Sequence, residues 1–221
     1  MHFFKRLFNT LAVFYRVTKV NFQLAYGVWR LTKLPLPLVS IFGAARLQQN
    51  DKYAHDAHKL AQRFVESDIS VLTGGGPGIM QAASCGAVAK KGSGISLGIG
   101  VRGLGETTSP CLNEYMELDY FFARKYLLTH FSSGFVVFPG GFGTMDELSE
   151  VLTLIQTNKM PKLPIVLYGS EYWALFMQWV TDEAVIHGVV SKEHAALFSI
   201  TDDLEEAFTI VQDECKKRMQ A

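Results

Sequence analysis

From residue 36 onward, short apolar runs alternate with longer stretches in which apolar positions recur every three or four residues. Residues 36–42 (LPLVSIF) end in Gly43 and read as a strand buried on both faces. Residues 51–66 carry Tyr53, Ala57, Leu60, Ala61, Phe64 and Val65 at helical spacing. The same alternation predicts strands at 69–72, 95–101, 115–118 (weak), 135–138 and 165–168. It predicts helices at 78–91, 121–131, 144 to about 157, and 171 to about 186. A final helix, N-capped by Asp202, runs through Leu204, Phe208, Ile210 and Val211. Strands alternating with helices of this length mean a mostly parallel sheet covered on both faces. Right-handed crossovers then give an α/β, doubly wound, Rossmann-like fold. In such sheets ligands sit beyond the carboxyl ends of the strands, so the loops after residues 42, 72, 101 and 138 are where chemistry is expected.

The first 35 residues follow a different pattern. Phe4, Leu7, Phe8, Leu11, Phe14 and Tyr15 fall at helical spacing, with Lys5, Arg16 and Lys19 on other arcs. The expected organisation is therefore a basic amphipathic helical extension over 1–35 and a nucleotide-binding catalytic domain over 36–221. Three readings of the extension stay open. It packs on the domain or a neighbouring subunit, it touches a membrane surface through residues 1–33, or it is a transit segment, which its scarcity of serine disfavours.

Composition changes this picture in one respect. The chain has 221 residues, 48% of them hydrophobic and 12% aromatic, which excludes disorder and low complexity. Its 21 Lys and Arg cancel its 21 Asp and Glu, which argues against a dedicated nucleic-acid binder. The cancellation is uneven, because residues 1–50 hold seven cations and no acid, leaving an equal acidic excess for the rest. Cys85, Cys111 and Cys215 are odd in number and far apart, so no disulfide framework and a reduced, cytoplasmic setting are expected. No metal or cofactor is expected, since none of the six histidines lies in a ligand-spaced motif. The longest uncharged stretches near the start, 7–15 and 20–29, fall well short of the ~20 residues that span a bilayer.

Three glycine loops follow predicted strands. Gly74, Gly75 and Gly76 precede a helix and read either as a cradle for an anion or as a tight turn without a ligand. Gly140, Gly141, Phe142, Gly143 and Thr144 form the second loop and lead to Glu147. The two cradles fall on one sheet edge and together suit a phosphorylated ligand. Thr144 and Glu147 have the spacing of a capping box, and a carboxylate at a helix start is expected to be held ionised. Gly98, Gly100 and Gly103 satisfy GxGxxG, with Asp119 about twenty residues on, but a loop follows instead of a helix. The pyrophosphate seat is missing, and NAD or FAD is discounted there. Arg124 and Lys125 start a mostly apolar helix and read either as a solvated rim or as an anion clamp. Glu106 lies in the loop after the third strand, where a carboxylate alone means little.

Together these residues resemble the LOG ("lonely guy") family of cytokinin riboside 5′-monophosphate phosphoribohydrolases, once labelled lysine decarboxylases. Residues 139–147 match its PGGxGTxxE signature, Arg124 and Lys125 stand at the family's distance from Glu147, and Leu152 and Thr153 follow as in the family. The wording around Phe121, Phe122 and Gln156 is closer to the bacterial branch. The resemblance covers residues from about 38 to 179. It implies that Arg124 and Glu147 are the catalytic pair. It implies that Glu106, Lys125, Gly140, Gly141, Phe142, Gly143, Thr144 and Thr153 contact the nucleotide, with Gly74, Gly75 and Gly76 near its phosphate. The implied reaction is hydrolysis of the N-glycosidic bond of a nucleoside 5′-monophosphate, by a homodimer or larger oligomer. The alternative is a nucleotide-binding or sensing module on the same fold without turnover. Phe122, Gln81, Ser84 and the strand around Gly98 depart from the family's wording, which bears on base preference. Decarboxylation finds no support, because no Schiff-base lysine with pyridinium and phosphate partners is visible.

Overall fold

The computed structural model describes residues 2–89 and 92–220. Helix α1 (His2–Leu31) precedes an alternation of strand and helix. In chain order this is β1 (Leu38–Phe42), α2 (Lys52–Glu66), β2 (Ser70–Thr73), α3 (Ile79–Val88), β3 (Ser96–Val101) and β4 (Glu114–Leu118). There follow α4 (Phe121–His130), β5 (Phe135–Val137), α5 (Phe142–Gln156), β6 (Ile165–Tyr168), α6 (Ser170–Gln178), α7 (Lys192–Ala195), β7 (Ser199–Thr201) and α8 (Leu204–Gln220). The strands form one sheet in the order β4-β3-β2-β1-β5-β6-β7, and every pairing is parallel.

The period of two along each strand divides the core. Leu38 and Phe42 of β1, with Leu72, Ile99, Val137 and Leu167, face one layer, where Leu127 of α4, Leu148 and Val151 of α5, and Trp173 of α6 cover them. Val39 and Ile41, with Val71, Val136 and Val166, face the other, covered by α2, α3 and α8 through Leu60, Phe64, Ala83 and Phe208. Both faces are thus sealed, as the unbroken apolar runs require.

Helix starts show where local chemistry decides. The Asp51 carboxylate accepts from the Tyr53 N–H at 2.8 Å and caps α2. The last helix is capped by Asp203, whose carboxylate accepts from Glu205 and Glu206 N–H, and not by Asp202. Asp202 instead accepts from the Ser170 N–H at 2.9 Å and ties the loop before α8 to the start of α6. The expected helix through residue 186 changes pitch at Trp179 into a π-helical turn ending at Val185. The helix expected over 78–91 ends at Val88, and positions 90 and 91 lie outside the described residues.

Cys85 and Cys111 are joined as a disulfide, which corrects the expectation of unpaired thiols. Their 26-residue separation is bridged because α3 and the loop before β4 both border β3, an adjacency that spacing along the chain does not show. Cys215 is free and buried. Among the described residues no helix is long and apolar enough to cross a membrane. The final third of α1 packs on α4. Gly27 lets the two backbones approach, since a Cβ there would stand 2.3 Å from Leu127 Cδ1.

Candidate active site

The chain leaves β1 towards β2, β3 and β4 on one side, and β5, β6 and β7 fill the other, so the sheet reverses between β1 and β5. Such a reversal separates the loops after the two strands and leaves a crevice. A cleft of about 390 Å3 lies there. Its walls come from the loop after β1 (Gly43 to Arg46), Gly74 after β2, Leu104 and Glu106 after β3, Phe121 and Arg124 of α4, and the start of α5 with Glu147.

Arg124 and Glu147 meet in this cleft. The guanidinium Nη2 donates to Glu147 Oε1 at 3.0 Å, and both residues are 8% exposed. Arg124 sits one turn into α4 with its Cζ 5.4 Å from the centre of the Phe121 ring, so an aromatic face lies beside the cation. Among the described residues the buried Arg124 Nε has no hydrogen-bond partner. Burial pushes the Glu147 carboxyl up to about 7, and Arg124 pulls it back only in part. The expectation of a carboxylate held firmly ionised at a helix terminus is therefore corrected. Helix α5 begins at Phe142, two residues earlier than expected, with Gly141 as its N-cap and no side-chain cap. Glu147 then lies in the second turn, too far along to cap, and the capping box does not form.

The start of α5 is thus left free. Among the described residues no side chain is bonded to its first N–H groups, and the positive end of α5 opens on the cleft. Space is open where a Cβ on Gly141 or Gly143 would stand, and Gly140 is close-packed against Thr144. The Tyr172 hydroxyl donates to the Gly140 carbonyl and holds the turn from behind.

The first glycine loop is more occupied with itself. Gly75 N–H donates to Thr73 Oγ1 at 3.1 Å, and the Gly75 carbonyl accepts from Ser109 N–H. Ile79 N–H is spent on the Ala44 carbonyl. Gly78 turns the chain with φ +67°, and a Cβ there would lie 2.2 Å from the Ala44 oxygen. Gly74 reaches the cleft, whereas Gly75 and Gly76 line an adjoining recess of about 70 Å3 with Glu106 and Tyr115. The third loop runs from β3 into irregular chain, and Asp119 is engaged by Lys19, Gln23 and Arg102.

Not every expected residue lines the cleft. Lys125 points to α5 and pairs with Asp146 at 3.0 Å and Glu150 at 3.2 Å. Thr153 is exposed on α5 two turns beyond the cleft's lining. Sequence reasoning passed over Ala44, Ala45, Arg46, Met80, Leu104 and Phe121, all of which line it. The signal for Arg46 was available, since its loop follows the strand at the switch point, but no motif marks it.

The family described as "Possible lysine decarboxylase" matches residues 80–211. A pyrimidine/purine nucleotide 5′-monophosphate nucleosidase of Escherichia coli K12 is 28% identical over 191 residues, 82% of this chain and 40% of that protein. This chain thus spans well under half of that relative. A probable cytokinin riboside 5′-monophosphate phosphoribohydrolase of Oryza sativa subsp. japonica is 27% identical over 75% of this chain and 73% of its own length. Among solved structures, the molybdenum cofactor binding protein of Rippkaea orientalis superposes with a TM-score of 0.60 at 20% identity. It covers 80% of this chain and 96% of that one, a likeness of fold alone.

Proposed function

Since the chain belongs to the family described as "Possible lysine decarboxylase", we propose that it hydrolyses the N-glycosidic bond of nucleoside 5′-monophosphates to free base and ribose 5-phosphate. The observation that carries the reading is the buried Arg124–Glu147 pair beside the uncapped start of α5. The names of the Escherichia coli and Oryza sativa relatives support the same substrate class. The family's descriptive name fits less well. Among the described residues the cleft is lined by Arg46 and Arg124 but by no lysine, and Lys125 is engaged with Asp146 and Glu150 outside it.

In the proposed reaction the substrate's phosphate sits at the N-terminus of α5, against the N–H groups of Phe142, Gly143 and Thr144, with Arg46 adding charge from the opposite wall. The C–N bond to the base breaks through an oxocarbenium-like state. The ionised Glu147 carboxylate stabilises that cation and orients the water that adds to the sugar carbon. A carboxyl titrating near 7 can take the proton that this water releases, and the departing base, which keeps the C–N bonding electrons, takes up a proton from solvent, so that free base and ribose 5-phosphate result. Arg124 holds Glu147 and has donors to spare for the substrate. Phe142, 97% exposed at the mouth of the cleft, offers an apolar face to the base.

Purified protein incubated with AMP, CMP and isopentenyladenosine monophosphate, followed by chromatography for free base and ribose 5-phosphate, tests the reading. Release of base from at least one of them is expected. Binding without release would instead make the chain a nucleotide-binding module.

A further inference from the structure

Helix α1 turns 100° per residue, which places Phe8, Leu11, Tyr15, Phe22, Tyr26 and Trp29 in one sector about 60° wide. Leu24, Gly27 and Leu31, which pack on the rest of the chain, lie on the opposite side, and Lys19, Gln23 and Arg30, which reach Asp119 and Glu114, lie between the two. Over its last part the apolar stripe therefore faces away from the protein, and earlier along the helix Leu7, Val13, Phe14 and Val17, on other arcs, are exposed as well. The stripe's six side chains are between 47% and 73% exposed. From Phe8 to Trp29 the stripe extends about 32 Å at the helical rise. An exposed apolar surface of this size on a folded chain marks a place of interaction.

Charge identifies the partner. Lys5, Arg16, Lys19 and Arg30 run along one flank of the stripe, and Lys33 places its ammonium 3.6 Å from the Trp29 ring centre. Lys19 and Arg30 are paired with Asp119 and Glu114, but among the described residues Lys5, Arg6 and Arg16 make no ion pair. Residues 1–50 contain no acid at all, so laying a second copy of α1 on the stripe would set cations against cations. An anionic surface is complementary, and Tyr and Trp are suited to a boundary that is apolar on one side and wet on the other. Cations interrupt the helix, and among the described residues no helix is long and apolar enough to cross a membrane, so the contact proposed is one that lies on the bilayer surface.

We propose that α1 is an interfacial helix that seats this protein on an anionic phospholipid surface through Phe8, Leu11, Tyr15, Phe22, Tyr26 and Trp29. Flotation of the full chain through a density gradient tests this, because aggregated protein does not float. The chain floats with vesicles of phosphatidylcholine mixed with phosphatidylglycerol and stays at the bottom with phosphatidylcholine alone. Phe8→Ser with Phe22→Ser lowers the affinity about 100-fold, roughly tenfold for each aromatic side chain no longer buried. Lys5→Gln with Arg16→Gln lowers it roughly 25-fold at the strength of one surface cation each. All four positions are exposed, so both variants fold as the parent does. The proposal fails if anionic vesicles do not lift the chain, if neutral vesicles lift it equally, or if the aromatic variant floats unchanged. It also fails if the aromatic substitutions convert a dimer to a monomer without any lipid binding, which would make a second copy the occupant.

Discussion

Replacing Glu147 by Gln removes a titrating group from the middle of the fold, and its effect on stability can be worked out in advance. The carboxyl ordinarily titrates at 4.5 and is pushed by burial to about 7 in the folded chain. Between these values the folded protein holds a proton that the unfolded chain has released, so stability falls as pH rises through the window. At 1.36 kcal/mol per pH unit the loss is about 3 kcal/mol. Glutamine cannot titrate, and leaving Arg124 without its partner adds a penalty with no pH dependence of its own in this range. The difference in unfolding free energy, parent minus variant, should therefore drop by about 3 kcal/mol between pH 4.5 and 7.5 and be flat on either side. Urea denaturation of both proteins at half-unit pH intervals measures it. A flat difference would mean that burial does not govern this carboxyl. A difference that rises with pH would mean that Arg124 outweighs burial.

Three other substitutions probe separate features. Gly78→Ala forces a side chain into a left-handed conformation and against the Ala44 carbonyl, so a loss of about 2–4 kcal/mol is expected in the same denaturation assay. Cys85→Ser opens a loop closed over 26 residues and should cost about 3 kcal/mol. Reductant should lower the parent's melting temperature and leave that of the variant unchanged. Lys125→Met cuts the ties from α4 to Asp146 and Glu150, so a loss of up to about 1 kcal/mol is expected, with KM for the proposed nucleotide substrate unaltered. A raised KM would place Lys125 against substrate instead.

The sheet and its helices were legible because burial on both faces writes strands as apolar runs and helices as a period of 3.6. Strand β6 and the core of β3 stand where the runs put them. What failed had other causes. Strand β7, Ser-Ile-Thr, is three residues long at the sheet's edge and carries one buried side chain, too little for a pattern. Asp202 and Asp203 are equivalent by local chemistry, and only the docking of Ser170 assigns the first to α6 and leaves the second to cap α8. At the cleft, residues in a motif were visible, whereas Arg46 and Phe121 depend on which loops the topology brings together. The Thr144–Glu147 spacing misleads because a capping box is local, whereas the start of α5 is set by Gly141 and the open space around it.

A pair made of one fixed cation and one carboxyl titrating near 7 leaves the cleft's net charge to a single proton. With Glu147 ionised the pair sums to zero, and with it protonated the pair presents one positive charge to an entering phosphate. Anion and proton therefore favour each other, and by reciprocity each raises the protein's affinity for the other. Binding of the proposed nucleotide would then draw protons from solution around neutral pH, while the chemistry proposed for Glu147 needs the carboxylate. The acid limb of kcat, which belongs to the bound enzyme, then lies at higher pH than that of kcat/KM, which belongs to the free one.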